Sequence, residues 1–116
     1  MRIGELARRA DLSTSRIRFY EAHGLVPKAA RSDNGYRDYP DASLETLRLI
    51  QGAQELGFSL SEIRTALAQA GASPPSRDDM LAALRRKLSS LDRHIAEVTV
   101  RRERIVHLME KLENER

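Results

Sequence analysis

The chain has no cysteine and no tryptophan among its 116 residues, and only 4% of them are aromatic. Without a thiol there can be no disulfide, no thiolate metal site and no cysteine nucleophile. No apolar run nears the roughly 20 residues that a membrane-spanning helix requires. Arg8, Arg9 and Asp11 interrupt any apolar stretch near the start, so no secretory leader is expected and the chain reads as soluble and cytoplasmic. Catalytic motifs are missing as well. There is no Gly-x-Ser-x-Gly elbow and no glycine-rich phosphate loop. His23, His94 and His107 fall on separate predicted helical sites, and no two of them have the i, i+4 spacing that puts two ligands on one helix face. Acidic side chains interleave with arginines as they do on solvated helix faces. The expectation is a chain that is not an enzyme, with no catalytic residue, no metal site and no cofactor.

What the chain does have is charge. Charged residues make up 32% of it, with a formal net charge of +3. The excess is uneven. Residues 1–40 hold 8 basic and 5 acidic side chains, 41–78 hold 3 and 5, and 79–116 hold 9 and 7. Arginine dominates the basic set, and its planar fork matches phosphate and guanine edges as lysine cannot. A general bias toward arginine and alanine explains the excess equally well, so composition alone does not name a nucleic-acid binder. Four aromatics, Phe19, Tyr20, Tyr36 and Tyr39, crowd into the N-terminal third, and Phe58 stands apart.

Ile3, Leu6, Ala7 and Ala10 recur at the i, i+3, i+4, i+7 spacing of one buried stripe and predict a first helix over about 2–10. Asp11-Leu12-Ser13 breaks it. Ser13 or Thr14 can cap a second helix that runs to His23, where Gly24 ends it and Leu25 supplies an apolar contact. Two short helices joined by a tight turn make a helix-turn-helix. Asn34-Gly35 is the sequence of a two-residue type I′ hairpin turn. Arg31-Ser32 and 36–39 flank it as short arms, giving a β-hairpin wing that carries Lys28, Arg31 and Arg37. Asp41 can cap a third helix with Leu44, Leu47, Ile50 and Ala53 inward, which Gly57 ends. Ser59-Leu60-Ser61-Glu62 is a capping box for a fourth, with Leu60, Ile63 and Leu67 inward and Gly71 as its stop.

After a Pro-rich linker over 72–78, Leu81, Leu84, Leu88, Leu91, Ile95, Val98, Arg102, Ile105, Met109 and Leu112 alternate in steps of three and four. That is a heptad seam with one polar member. A helix over about 79–113 is roughly 50 Å long at 1.5 Å per residue, too long for the preceding domain to cover. The economical partner is a second copy of the chain, with docking within the chain or a different partner as the alternatives. Arg102 would cost stability if buried; it either fixes register or lies near an exposed end. The expected fold is mostly α: a winged helix-turn-helix of four helices and a small wing over 1–71, the linker over 72–78, and a coiled-coil dimerisation helix over 79–113.

The order of recognition helix, wing and dimeriser favours DNA binding. With Ile17 turned inward, Phe19 lies about 200° away on the outer side of its helix, between Arg16 and Arg18. An outward Phe between two arginines suits a duplex, with apolar contact for thymine methyls and guanidinium for phosphate or guanine. Tyr20 adjoins Ile17, and packing and a hydroxyl reaching phosphate are both open to it. Arg31 and Arg37 suit backbone contact; Tyr36 is read as a contact and Tyr39 as packing. The helix start at Ser59 could hold a phosphate on free backbone N–H groups.

Five stretches together, 3–7 (Ile-Gly-Glu-Leu-Ala), 17–21 (Ile-Arg-Phe-Tyr-Glu), 24–26 (Gly-Leu-Val), 31–37 (Arg-Ser-Asp-Asn-Gly-Tyr-Arg) and 56–60 (Leu-Gly-Phe-Ser-Leu), resemble the MerR family of bacterial transcription regulators over residues 1 to about 70. The resemblance implies a winged-helix DNA-binding domain and an antiparallel coiled coil joining two protomers. It implies binding to a palindrome in a promoter spacer, activation by bending and untwisting that DNA, and RNA polymerase as a partner at the same promoter. It places Ser15, Arg18, Tyr20, Arg31, Tyr36 and Arg37 at DNA-contacting positions. With the residue reading, the candidate DNA contacts are Thr14, Ser15, Arg16, Arg18, Phe19, Tyr20, Arg31, Asn34, Tyr36, Arg37 and Ser59. The family's metal and redox sensors place cysteines at the two ends of the dimerisation helix; this chain has none, so thiolate sensing is excluded. A metal site of His94 and His107 across a dimer is not expected. Drug-sensing members add a C-terminal ligand domain, and the sequence leaves open whether an effector region follows Arg116. The alternative reading is a protein–protein interaction module built on the heptad helix, with DNA binding secondary.

Overall fold

The computed structural model describes residues 1–31, 33–71 and 75–115. Ser32 of the expected wing arm, and Ala72, Ser73 and Pro74 of the expected linker, lie outside the described residues. The chain divides into two compact units, Met1–Pro75 and Ser76–Arg116.

The first unit runs α1 (Ile3–Ala10), α2 (Thr14–Ala22), β1 (Ala30–Arg31), β2 (Arg37–Asp38), α3 (Ala42–Glu55) and α4 (Leu60–Ala70). α1 packs on α2 and α3, and α4 packs on α3. The apolar stripes meet in one core of Leu6, Ala7, Ala10, Ile17, Tyr20, Leu25, Val26, Tyr39, Leu47, Ile50 and Ile63, with Ile3, Leu44, Ala53, Leu60 and Leu67 half-buried around it. The inward positions expected for α1, α3 and α4 are therefore the ones that pack.

Three helices stop by the same device, in which two backbone N–H groups fold back onto the last turn. After α1, Leu12 N donates to Ala7 O at 3.0 Å and Asp11 N to Arg8 O at 3.4 Å. Leu25 and Gly24 do the same for α2, and Phe58 and Gly57 for α3. The motif needs a left-handed residue. Gly24 (φ 74°) and Gly57 (φ 89°) adopt it freely, whereas Asp11 (φ 56°) adopts it with a side chain. At the helix starts, Ser13 rather than Thr14 caps α2, accepting from Arg16 N at 3.1 Å. The Ser59–Glu62 capping box of α4 is complete in both directions.

Three local expectations need correction. Asp41 does not cap α3 with its side chain; its backbone is already helical, and the helix is entered through a turn in which Ser43 N donates to Pro40 O. The wing is not closed by a two-residue type I′ turn. β1 and β2 pair with Arg31 opposite Arg37 and Ala30 opposite Asp38, so Asp33 and Tyr36 as well as Asn34 and Gly35 belong to the connection. A type I′ turn needs positive φ at both central residues, and Gly35 has it (φ 79°) while Asn34 does not. Third, the last helix, α5, spans Arg77–Glu113, so Arg77 and Asp78 of the expected linker are helical. Ser76 is the reason: its hydroxyl accepts from Asp79 N at 3.1 Å and starts the helix at Arg77, two residues earlier than expected.

α5 is the second unit. Its 37 residues extend about 55 Å at 1.5 Å per residue, and none of them is buried. Along the heptad seam Leu84, Leu88, Leu91, Ile95, Val98, Ile105, Met109 and Leu112 are all exposed, by 44% to 62%.

Ser43 is 2% exposed, and its Oγ has no hydrogen-bond partner among the described residues. An unsatisfied buried hydroxyl costs about 1–3 kcal/mol, and alanine is the better helix former. Ser43→Ala should therefore stabilise the first unit by about 1 kcal/mol, visible as an upward shift of a few degrees in thermal melting.

Candidate nucleic-acid interface

α2 turns Ile17 and Tyr20 into the core. At about 100° per residue, Ser15 and Ala22 then lie opposite the buried pair, with Arg18 and Phe19 on either side of them. Ser15, Arg16, Arg18 and Phe19 are exposed, and Thr14 is half-buried at the start of the helix. Phe19 keeps 37% of its surface in solvent. Its ring stacks on His23 at a centroid separation of 4.1 Å. The Arg16 guanidinium sits 5.8 Å from the Phe19 ring centroid and 5.5 Å from that of Tyr20. A cation at this distance is attracted by the faces of the rings without using its N–H donors, which stay available to another acceptor.

Tyr20 is not part of this surface. It is 1% exposed, and its hydroxyl donates to Gln54 Oε1 of α3 at 2.7 Å. Of the two roles open to it, the structure assigns packing, because both the ring and its polar tip are already used inside the fold. Tyr39 packs too, as expected, with no exposed surface.

The wing presents Arg31, Asn34, Tyr36 and Arg37, all exposed. Arg31 and Arg37 face each other directly across the two strands. Like charges in that position repel, so the pair is favourable when an anion lies between or beside them. Arg2 adds a third guanidinium to this side of the wing, 4.2 Å from the centroid of the Tyr36 ring. Nothing in the sequence around Arg2 marks it, because its partner lies far along the chain. Arg64 was also missed; its Nε donates to His23 O at 2.8 Å and holds the end of α2 from α4.

Glu21 joins recognition helix to wing. Its Oε2 accepts from the Tyr39 hydroxyl at 2.5 Å, and its Oε1 from Ala29 N at 3.3 Å. Tyr39 in turn exchanges backbone hydrogen bonds with Met1: Tyr39 N donates to Met1 O at 2.7 Å, and the Met1 amino group donates to Tyr39 O at 2.6 Å and to Asp38 Oδ1 at 2.9 Å. Burial, reinforced by the Glu21 carboxylate, pushes the Tyr39 hydroxyl above its ordinary value of 10.0, with Arg37 opposing in part.

Ser59 is exposed but poorly suited to phosphate. Its own N–H donates to Glu62 Oε1 at 3.0 Å, and its Oγ accepts from Glu62 N at 3.1 Å. Two of the amides an anion would use are occupied, one of them by a carboxylate that repels it. Among the described residues there is no cluster of three potential metal-ligating side chains, and no helix is long and apolar enough to cross a membrane.

Two outcomes follow. Glu21→Ala leaves the buried Tyr39 hydroxyl without its acceptor and should cost about 2–3 kcal/mol. DNA affinity should fall with the loosened wing and its salt dependence should become shallower, since Arg31 and Arg37 of the wing are the expected backbone contacts; titrations at several salt concentrations check this. The raised Tyr39 value means that the unfolded chain ionises first as pH rises. The stability from this group is thus fully present below about pH 10 and is lost above it. Melting temperature should drop more steeply beyond pH 10 in the wild type than in Tyr39→Phe.

The sequence matches a family described as "MerR HTH family regulatory protein" over residues 1–70 and one described as "MerR, DNA binding" over 44–108. It is 35% identical over 111 residues to the HTH-type transcriptional regulator CueR of Yersinia pestis, covering 96% of this chain and 80% of that one. Among solved structures it resembles the transcription regulator PbrR691 of Ralstonia metallidurans CH34, determined in complex with lead(II), with 32% identity, a TM-score of 0.63, and coverage of 98% and 84%. It shares its fold with HiNmlR, a regulator lacking the sensor domain and bound to promoter DNA, at 24% identity and a TM-score of 0.64, with coverage of 85% and 75%. The arginine-bearing helix-turn-helix and wing are thus those of a DNA-binding transcriptional regulator, and the chain belongs to the MerR family.

Proposed function

We propose that the chain acts as a homodimer on a palindromic operator in a promoter spacer, bending and untwisting the DNA for RNA polymerase at the same promoter. The observation that carries this reading is the pairing of Arg31 with Arg37 across the wing, beside an α2 whose exposed face holds Ser15, Arg18 and Phe19. One surface carries groups for groove contact and the other groups for the backbone, which is the division of labour that DNA recognition needs. Reading two half-sites requires two such units, and α5 offers the exposed seam that joins them. The promoter complex of HiNmlR, which shares the fold, supports the same use of the domain.

The signal is a separate matter. PbrR691 holds lead(II) in its solved complex, but these 116 residues contain no cysteine. A soft metal ion therefore finds no thiolate among these residues to bind.

Binding to DNA upstream of the protein's own gene, at two salt concentrations, tests the reading. Wild-type affinity should favour a palindrome and fall with salt in proportion to the phosphates neutralised. Arg18→Ala should weaken binding about tenfold or more, the scale of one good base or phosphate contact. Weak binding indifferent to the substitution would overturn the reading in favour of an interaction module built on α5.

A further inference from the structure

The seam of α5 has one charged member, and that residue carries more information than the nine apolar ones. Helical neighbours lie three and four residues apart. Those of Arg102 are Val98, Thr99, Ile105 and Val106, and those of Asp92 are Leu88, Ser89, Ile95 and Ala96. Neither charge has an opposite among these neighbours, and among the described residues neither forms an ion pair. Both side chains are exposed.

We propose that the antiparallel coiled coil implied by the family resemblance is held in one register by Arg102 pairing with Asp92 of the partner subunit. The inference rests on the homodimer of the preceding section and specifies its geometry. Were the two helices parallel and in register, equivalent seam positions would meet, and Arg102 would face Arg102 of the partner subunit at close range. Antiparallel helices instead set the first heptad position of one against the fourth of the other. All ten layers are filled when Leu81 lies level with the partner subunit's Leu112, Ile95 with the partner subunit's Val98, and Arg102 with the partner subunit's Leu91. The residue after that leucine is Asp92. It stands on the same flank of the seam as Arg102 and within about one residue rise, 1.5 Å, of its level. Sliding one helix by a heptad brings Arg102 to the partner subunit's Thr99 in one direction and to the partner subunit's Arg85 in the other. Of these registers the central one alone supplies an acid. Two-fold symmetry makes the contact twice.

The register has a consequence for the DNA-binding units. It sets the N-terminal ends of the two α5 helices about 60 Å apart along the seam. A one-heptad slip changes that separation by about 10 Å, or roughly three base pairs of DNA at 3.4 Å each.

Charge exchange in the full-length chain tests the pairing, with self-association followed by sedimentation. Arg102→Asp and Asp92→Arg should each weaken dimerisation at least tenfold, and the double variant should recover it. An equimolar mixture of the two single variants should form heterodimers, because each contact between them then joins opposite charges; that recovery also shows that both variants fold. Orientation is read separately. The chain has no native thiol, so Leu81→Cys and Leu112→Cys can be joined by a short bis-maleimide with no background. Each should stay unlinked alone and become linked when the two are mixed. A wild-type dimer that ignores both charge exchanges, or a Leu81→Cys variant that links to itself, would overturn this register while leaving the homodimer standing. A wild-type chain that stays monomeric at tens of micromolar would overturn the homodimer itself.

Discussion

The Glu21 carboxylate is the fixed point of the DNA-binding unit. The wing consists of two strands of two residues each, and an isolated hairpin of that size is marginal in water. It holds its place because Tyr39, at its base, is buried in the core and donates a hydrogen bond from its hydroxyl to Glu21, while the same carboxylate accepts from the amide of Ala29 on the way into the wing. One side chain of the recognition helix thus sets where Arg31 and Arg37 stand relative to Arg18. Tyr20 and Gln54 make the matching connection from α2 to α3. Two tyrosine hydroxyls, each satisfied by a polar group reaching into the fold, fix the orientation of α2 in the DNA-binding unit. Left unsatisfied, a buried hydroxyl would cost about 1–3 kcal/mol, more than the net gain from the bond itself.

α5 is built on the opposite principle. It buries nothing of its own, and an isolated helix in water gains little beyond caps and side-chain pairs. Ser76 supplies the cap, and the acidic first turn of Asp78 and Asp79 suits the helix dipole. Its apolar seam is where stabilisation would have to come from, and in the proposed homodimer a second copy of the chain would supply the matching surface. In the proposed dimer the stability of the helix and the spacing of the two DNA-binding units become one quantity. That coupling suits a protein whose action would be to hold DNA in a deformed state, since deformation costs energy that a loose linkage could not sustain.

Signals that lie within one turn of helix were legible in the sequence. The stripe of α1, the Ser59–Glu62 box, the glycine stops at Gly24 and Gly57 and the heptads of α5 each involve residues a few positions apart, and each sits where the pattern puts it. Contacts between distant residues were not legible. Nothing near Glu21 announces Tyr39, nothing near Arg2 announces Tyr36, and the burial of Tyr20 depends on Gln54 being on the facing helix. Two local signals also misled. Asn34-Gly35 reads as a tight hairpin, but pairing Arg31 with Arg37 leaves a longer connection that needs positive φ only at Gly35. Asp41 reads as a cap, but the turn starting at Pro40 already provides the first hydrogen bonds of α3.

Arg102 shows why a seam can be better for being imperfect. A leucine in its place would bury more apolar surface and strengthen the helix pair. It would also remove the feature that separates the antiparallel register from its competitors, because an unbroken run of leucine, isoleucine and valine layers packs almost as well when slipped by a heptad or reversed. A buried charge that is satisfied in one arrangement penalises all the others by the cost of leaving it unpaired. For a protein that only needed to dimerise, that penalty would be wasted. For one that must present two arginine-bearing wings at a defined separation, a heptad slip of about 10 Å would move one half-site by roughly three base pairs, nearly a third of a helical turn. Stability traded for a single register is then the condition under which the wings and recognition helices can act on the same operator.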